Sequence, residues 1–195
     1  MYRLIYFIIY PFMRIFFPCK VIGRKNFPKK QPMLIICNHL TNVDAVYIYQ
    51  YFYEKKFTLA KKELFESKVL GYLYRCVGGF PIDRGKVDLK AIKTSIAHLK
   101  DGHKLVVFPE GTRNKESEEL QGVKNGAAML ALKAQVLIIP MHIEKRAKIF
   151  RRNKIFVGKP FDLAQFYDQK LNTETLDKAS EIITQKLLET QNPQK

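Results

Sequence analysis

The chain has 195 residues, 47% of them hydrophobic, and its 34 Lys and Arg against 18 Asp and Glu give a formal charge of +16. That apolar share excludes a disordered chain, and the length suits one domain with a core of its own. The charge says little about fold but favours anionic partners: nucleic acid, a membrane surface or phosphorylated substrates.

The N-terminus comes first. Thirteen of the sixteen residues in YRLIYFIIYPFMRIFF (2–17) are apolar or aromatic. A spanning helix needs about 20 such residues. This run is shorter, carries Pro11 in its middle and has Arg14 near its end. The stretch behind it offers no convincing signal-peptide cleavage site. It reads as an apolar helix lying in a membrane interface, flanked by Arg3, Arg14, Lys20, Arg24 and Lys25, with a packed core helix as the alternative. Residues 1–22 are thus expected to associate with a membrane, and residues 23–195 to form the folded domain.

Strands are predicted at MLIIC (33–37), FTLA (57–60), KLVVFP (104–109), VLIIPMHI (136–143) and KIFVG (154–158). Several are unbroken apolar runs, as in strands buried on both faces. Helical patterns lie near 43–54, 63–76, 87–100, 123–134 and 173–190. The alternation predicts an α/β fold, a mostly parallel central sheet flanked by helices. Ligands in such sheets gather at the carboxyl ends of the strands.

The chemistry-bearing stretches sit at those ends. In CNHLTNVD, His39 follows a strand and Asp44 falls in the first turn of the next helix. An aspartate there can fix the imidazole tautomer and leave the other nitrogen as a base; equally, Asp44 or Asn42 can simply cap the helix. FPEGTR (108–113) adds a carboxylate, a turn at Gly111, a hydroxyl and a guanidinium suited to a phosphate. GGFPIDRG (78–85) adds Arg84 after a further short strand, and IIPMHI (138–143) places Pro140 in another.

Other titratable residues carry less. Cys19, Cys37 and Cys76 are odd in number and in no metal-ligand spacing, which argues for a reducing compartment; Cys37 beside His39 reads as a small buried residue rather than a nucleophile. His98 and His103 read as surface residues, and His142 as structural. Lys61 and Lys62 suit a substrate phosphate or an ordinary solvated pair. The densest basic run, KRAKIFRRNK (145–154), holds six basic residues in ten, a solvated loop or a face turned to membrane or phosphate.

In this order NHLTNVD, GGFPIDR, FPEGTR and IIPMHI resemble the signature of the glycerolipid acyltransferases, and KNGAAMLA (124–131) matches the segment that follows the third block. The resemblance runs from about Gly23 to Gly158. An HxxxxD alone is weak; with FPEGTR about 70 residues later it is specific. The resemblance implies transfer of a fatty acyl group from a thioester, acyl-CoA or acyl carrier protein, to the sn-2 hydroxyl of 1-acylglycerol-3-phosphate (lysophosphatidic acid). The product is phosphatidic acid, and the setting the cytoplasmic face of an anionic membrane. Another lysophospholipid or hydroxylated lipid is the alternative acceptor. His39 would be the base and Asp44 its orienting partner. Arg84, Glu110, Gly111, Thr112 and Arg113 would bind the glycerol phosphate, Pro140 would shape the acyl or acceptor site, and no metal or redox cofactor would be required. Thr41 where serine is frequent, an acidic NKESEELQGV loop, and Val123 where an aromatic is common bear on substrate preference. A nucleic-acid-binding role fits poorly, since the aromatics are not interleaved with basic residues on strands.

Overall fold

The computed structural model describes residues 2–51, 56–117, 119–120 and 122–191. Seven strands form one sheet: β1 (Cys19–Ile22), β2 (Met33–Cys37), β3 (Lys56–Lys61), β4 (Gly79–Ile82), β5 (Lys104–Val107), β6 (Leu137–Ile143) and β7 (Asn153–Val157), in the order β1-β7-β6-β2-β5-β3-β4. Five of them, β6-β2-β5-β3-β4, run parallel. The helices are α1 (Tyr2–Phe16), α2 (Asp44–Tyr51), α3 (Lys68–Cys76), α4 (Leu89–Lys100), α5 (Asn125–Ala134) and α6 (Thr173–Gln191).

The mostly parallel sheet follows from the alternation, and its one reversal has a simple cause. A parallel crossover needs a dozen or more residues. Only residues 144–152 lie between β6 and β7, so β7 turns back antiparallel. β1 then pairs parallel to β7 at the sheet edge. Cys19–Ile22 is therefore a strand of the same sheet, so the expected boundary at residue 22 falls behind a piece of the domain.

All five residues of β2 are buried, as its unbroken apolar run requires of a central strand covered twice. Met33, Ile35 and Cys37 pack with Tyr47 and Ile48 of α2 and with Ile139, Met141 and Ile143 of β6. Leu34 and Ile36 face the other way, toward Ala127, Ala128 and Ala131 of α5 and Ile183 and Leu187 of α6. Each fully buried Leu or Ile contributes about 1.5–3 kcal/mol.

Two predicted helices differ in detail. The 63–76 pattern splits into a 3-10 turn, Lys62–Phe65, and α3, because Ser67 takes the N-cap position and accepts the Leu70 amide at 3.3 Å. The 43–54 pattern is helical over Asp44–Tyr51, and its last three positions lie outside the described residues. Helix α1 forms despite Pro11 and presents Phe7, Ile8, Phe12 and Ile15 to solvent. Among the described residues no helix is long and apolar enough to cross a membrane.

The three cysteines are free thiols. Burial pushes the Cys19 thiol up to about 12 and holds Cys37 well above the ordinary thiol range, with Asp44 and Glu110 adding to the effect. Neither presents a thiolate near neutral pH. At pH 8 a thiol reagent should therefore label only the half-buried Cys76 in the native protein and all three residues after unfolding. Rapid native labelling of Cys37 would contradict its enclosure.

Candidate active site

His39, Arg84 and Glu110 follow β2, β4 and β5, so the parallel sheet brings all three to one edge, the carboxyl ends of its strands. His39 lies in the turn before α2, and Asp44 is the first residue of that helix. The His39 Nδ1 is 2.9 Å from Asp44 Oδ2. The same oxygen accepts the Leu40 and Thr41 amides at 2.6 and 2.7 Å, and Oδ1 accepts the Thr41 hydroxyl at 2.6 Å. An atom that already takes two N–H donors is an acceptor, so the proton between it and the imidazole sits on Nδ1, the tautomer that in a neutral ring leaves the lone pair on Nε2. Capping and orientation were alternatives in the sequence. In the structure Asp44 ties down the turn in front of the helix and orients His39 at once. It is fully buried, while a tenth of the His39 side chain stays in solvent.

The imidazole stacks on Phe108, ring centroids 4.1 Å apart. Its backbone is gripped from both ends by the loop behind β5. The His39 N–H donates to Glu110 Oε1 at 2.7 Å, and its carbonyl accepts the Asn114 N–H at 2.8 Å. Glu110 is buried, and its Oε1 holds the backbone of His39. Gly111 turns the chain with φ +75, and a Cβ there would approach the side chain of Lys124 to 3.0 Å, so glycine serves both conformation and space. Beyond it Thr112 and Arg113 are exposed.

Arg84 stands on a loop built by two aspartates. Asp83 accepts the Gly85 amide, and Asp88 accepts the amides of Asp83 and Ala91, the latter as the N-cap of α4. Arg84 and Arg113 make no ion pair or hydrogen bond among the described residues. Partial desolvation, then repulsion from Arg113, holds the Arg84 guanidinium below its ordinary value. Glu63 attracts the Arg84 guanidinium more weakly than Arg113 repels it, and two neighbouring cations of this kind can receive an anion.

Pro140 stays apart from this group. Neighbouring residues of a strand face opposite sides of the sheet. Met141 and Ile143 face the His39 side, so the Pro140 ring points to Gly158 and to Thr190 of α6. Its carbonyl accepts the Gly158 N–H at 2.9 Å just past the paired residues of β6 and β7, so the reciprocal bond that proline cannot donate falls at the end of the ladder. Lys61 and Lys62 are occupied at the surface by Glu63 and Asp83. His142 is buried in β6, as expected of a structural residue. His98 is half-buried and stacks on Phe57 at 3.6 Å, so it is not the surface residue expected.

Two further residues were not singled out in the sequence. Asn38 is fully enclosed, donating to the Ile143 carbonyl and accepting the Ile143 amide, which pins the end of β2 to the end of β6. Asn114 accepts the amides of Glu116 and Ser117 and donates to the Glu119 carbonyl, which folds the loop behind Arg113. The Asn114-to-Ser117 pattern is an Asx turn, a signal readable in NKES.

The acyltransferase family model matches residues 18–144. The chain belongs to the acyltransferase family. This acyltransferase is 30% identical over 184 residues to the 1-acyl-sn-glycerol-3-phosphate acyltransferase of Bacillus subtilis, covering 89% of this chain and 88% of that one. It is 34% identical over 151 residues to the enzyme of the same name from Streptococcus pneumoniae, covering 74% of this chain and 54% of that one. Its fold is that of the crystal structure of the 1-acyl-sn-glycerophosphate acyltransferase PlsC from Thermotoga maritima. The TM-score is 0.69 at 21% identity, over 96% of this chain and 77% of that one.

Proposed function

We propose that this acyltransferase moves a fatty acyl group from a thioester, acyl-CoA or acyl carrier protein, to the sn-2 hydroxyl of 1-acylglycerol-3-phosphate, giving phosphatidic acid. The observation that carries the reading is the His39 Nδ1–Asp44 contact of 2.9 Å on the sheet edge that also carries Arg84 and Arg113, which make no ion pair among the described residues. The names and coverage of the relatives support the same acceptor.

In this reading the His39 Nε2 takes the proton of the acceptor hydroxyl as its oxygen attacks the thioester carbonyl. Asp44 keeps the ring in the required tautomer and offsets its charge once protonated. The tetrahedral oxyanion collapses, the C–S bond breaks, and the proton passes from His39 to the departing thiolate. Arg84 and Arg113 hold the acceptor phosphate, and the turn through Gly111 and Thr112 lies alongside. Glu110 supports His39 from behind. The setting is the cytoplasmic face of an anionic membrane, with α1 lying in the interface: its Phe7, Ile8, Phe12, Ile15 and Phe16 are apolar and exposed, yet it is too short to span.

Purified protein in lipid, given acyl-CoA or acyl carrier protein and a panel of lysolipids, tests this by mass spectrometry. Phosphatidic acid from the phosphorylated acceptor is the expected product. An acylated lipid of another class as sole product would move the acceptor. Arg113→Ala should raise KM for 1-acylglycerol-3-phosphate about 10–100-fold, the loss of one charged hydrogen-bonding group, with little change in KM for the thioester. An unchanged acceptor KM would remove Arg113 from the phosphate site. Arg84→Ala should act in the same direction.

A further inference from the structure

The acyl-transfer reading leaves the β6–β7 hairpin unused. Residues 145–154, KRAKIFRRNK, hold six basic residues in ten, and at the turn between them Ile149 and Phe150 are 61% and 67% exposed. Phe150 has φ +61, a conformation that bulky L residues rarely adopt. The turn is nevertheless built. The Phe150 N–H donates to the Phe16 carbonyl at 2.7 Å, the Arg151 guanidinium donates to the Arg146 carbonyl, and the Phe150 ring lies 5.3 Å from that of Phe16. Arg146 also reaches the Leu40 and Ser117 carbonyls, one in each loop of the candidate active site. Lys148 and Arg152 are exposed and carry no ion pair among the described residues.

Strand polarity fixes where this tip points. β6 ends, and β7 and β1 begin, at the edge where β2 delivers His39. The end of α1, the hairpin tip and the base therefore share one side of the molecule. We propose that the tip is a contact for an anionic bilayer, with Ile149 and Phe150 entering the headgroup region and Lys148 and Arg152 reading lipid charge, continuous with α1 through Phe16. The inference rests on the membrane-bound reading above. Apolar side chains ringed by unpaired cations complement acidic headgroups over hydrocarbon. The contact would set the mouth of the site against the layer that holds the acceptor.

The test is co-flotation of the full chain with vesicles of phosphatidylcholine, with and without phosphatidylglycerol. Lys148→Gln/Arg152→Gln should bind the acidic vesicles about 30-fold more weakly and the neutral ones as before. Ile149→Ser/Phe150→Asn, with an asparagine that accepts the left-handed φ, should bind both kinds more weakly. Thermal melts report whether each variant is folded. Wild-type flotation by both variants would overturn the hairpin contact, and equal loss on neutral and acidic vesicles in the charge variant would overturn the reading of lipid charge. Loss of binding to a single-stranded oligonucleotide, with flotation unchanged, would assign the patch to nucleic acid instead. Phosphatidic acid formation from detergent-dispersed substrates, followed in parallel, reports on the proposed reaction independently of flotation.

Discussion

Replacing His39 by alanine should slow acyl transfer about 10²–10⁴-fold, the usual contribution of a positioned general base. The fold should survive. The ring gives up its stacking on Phe108 at 4.1 Å, a loss of about 0.5–1.5 kcal/mol. The backbone grip from Glu110 and Asn114 does not involve the side chain. Asp44 likewise keeps the Leu40 and Thr41 amides. The informative measurement is kcat beside a melting curve. A folded variant with near-wild-type turnover would remove His39 from the chemistry.

Asp44→Ala should fail on both counts. It strands the buried Leu40 amide and the half-buried Thr41 amide, together with the imidazole N–H. At about 1–3 kcal/mol for each unsatisfied amide, Tm should fall by roughly 10 °C for a chain of this size. Asp44→Asn separates the two roles. Three donors converge on Oδ2, whereas Oδ1 meets only the Thr41 hydroxyl, which can turn to accept. An asparagine can thus set its carbonyl oxygen at the Oδ2 position and its NH₂ toward Thr41. Most of the Tm should return, while turnover stays about 10²-fold down because a neutral amide does not offset the charge of a protonated imidazole. Full recovery of rate would make Asp44 a structural residue only.

These two variants also mark where sequence reasoning reached and where it stopped. The runs MLIIC, KLVV and LIIPMHI announce β2, β5 and β6, because strands buried on both faces must be apolar throughout. The place of His39 between a strand and a helix followed from them. β1 was hidden because CKVI, four residues with a lysine among them, adjoins a far more apolar helix. The break before α3 was legible in principle, through the capping position of Ser67. The double duty of Asp44 was not, since it depends on which way the amides of Leu40 and Thr41 point, a matter of backbone angles in an irregular turn. Nor did the letters reveal that Glu110, 71 positions on, and Asn114 behind it grip the same residue, His39. Pro140 occurs inside a motif, yet strand alternation turns its ring to the far face of the sheet.

The reversed pair at the sheet edge has a consequence in time. Asn26, just behind β1, bonds to Val157 at the end of β7, 131 positions further on. On a ribosome adding about 5–20 residues per second, the first strand waits roughly 7–26 s for the last one. Through that interval the apolar residues of α1 have emerged while the strand that ties it to the sheet has nothing to pair with. On the proposed membrane reading, α1 is free to meet lipid before the fold closes, and the nascent chain would be tethered before it is finished. A chain ending short of Asn153 leaves β1 unpaired and one side of β6 open, two bare strand edges that invite pairing with a neighbouring copy.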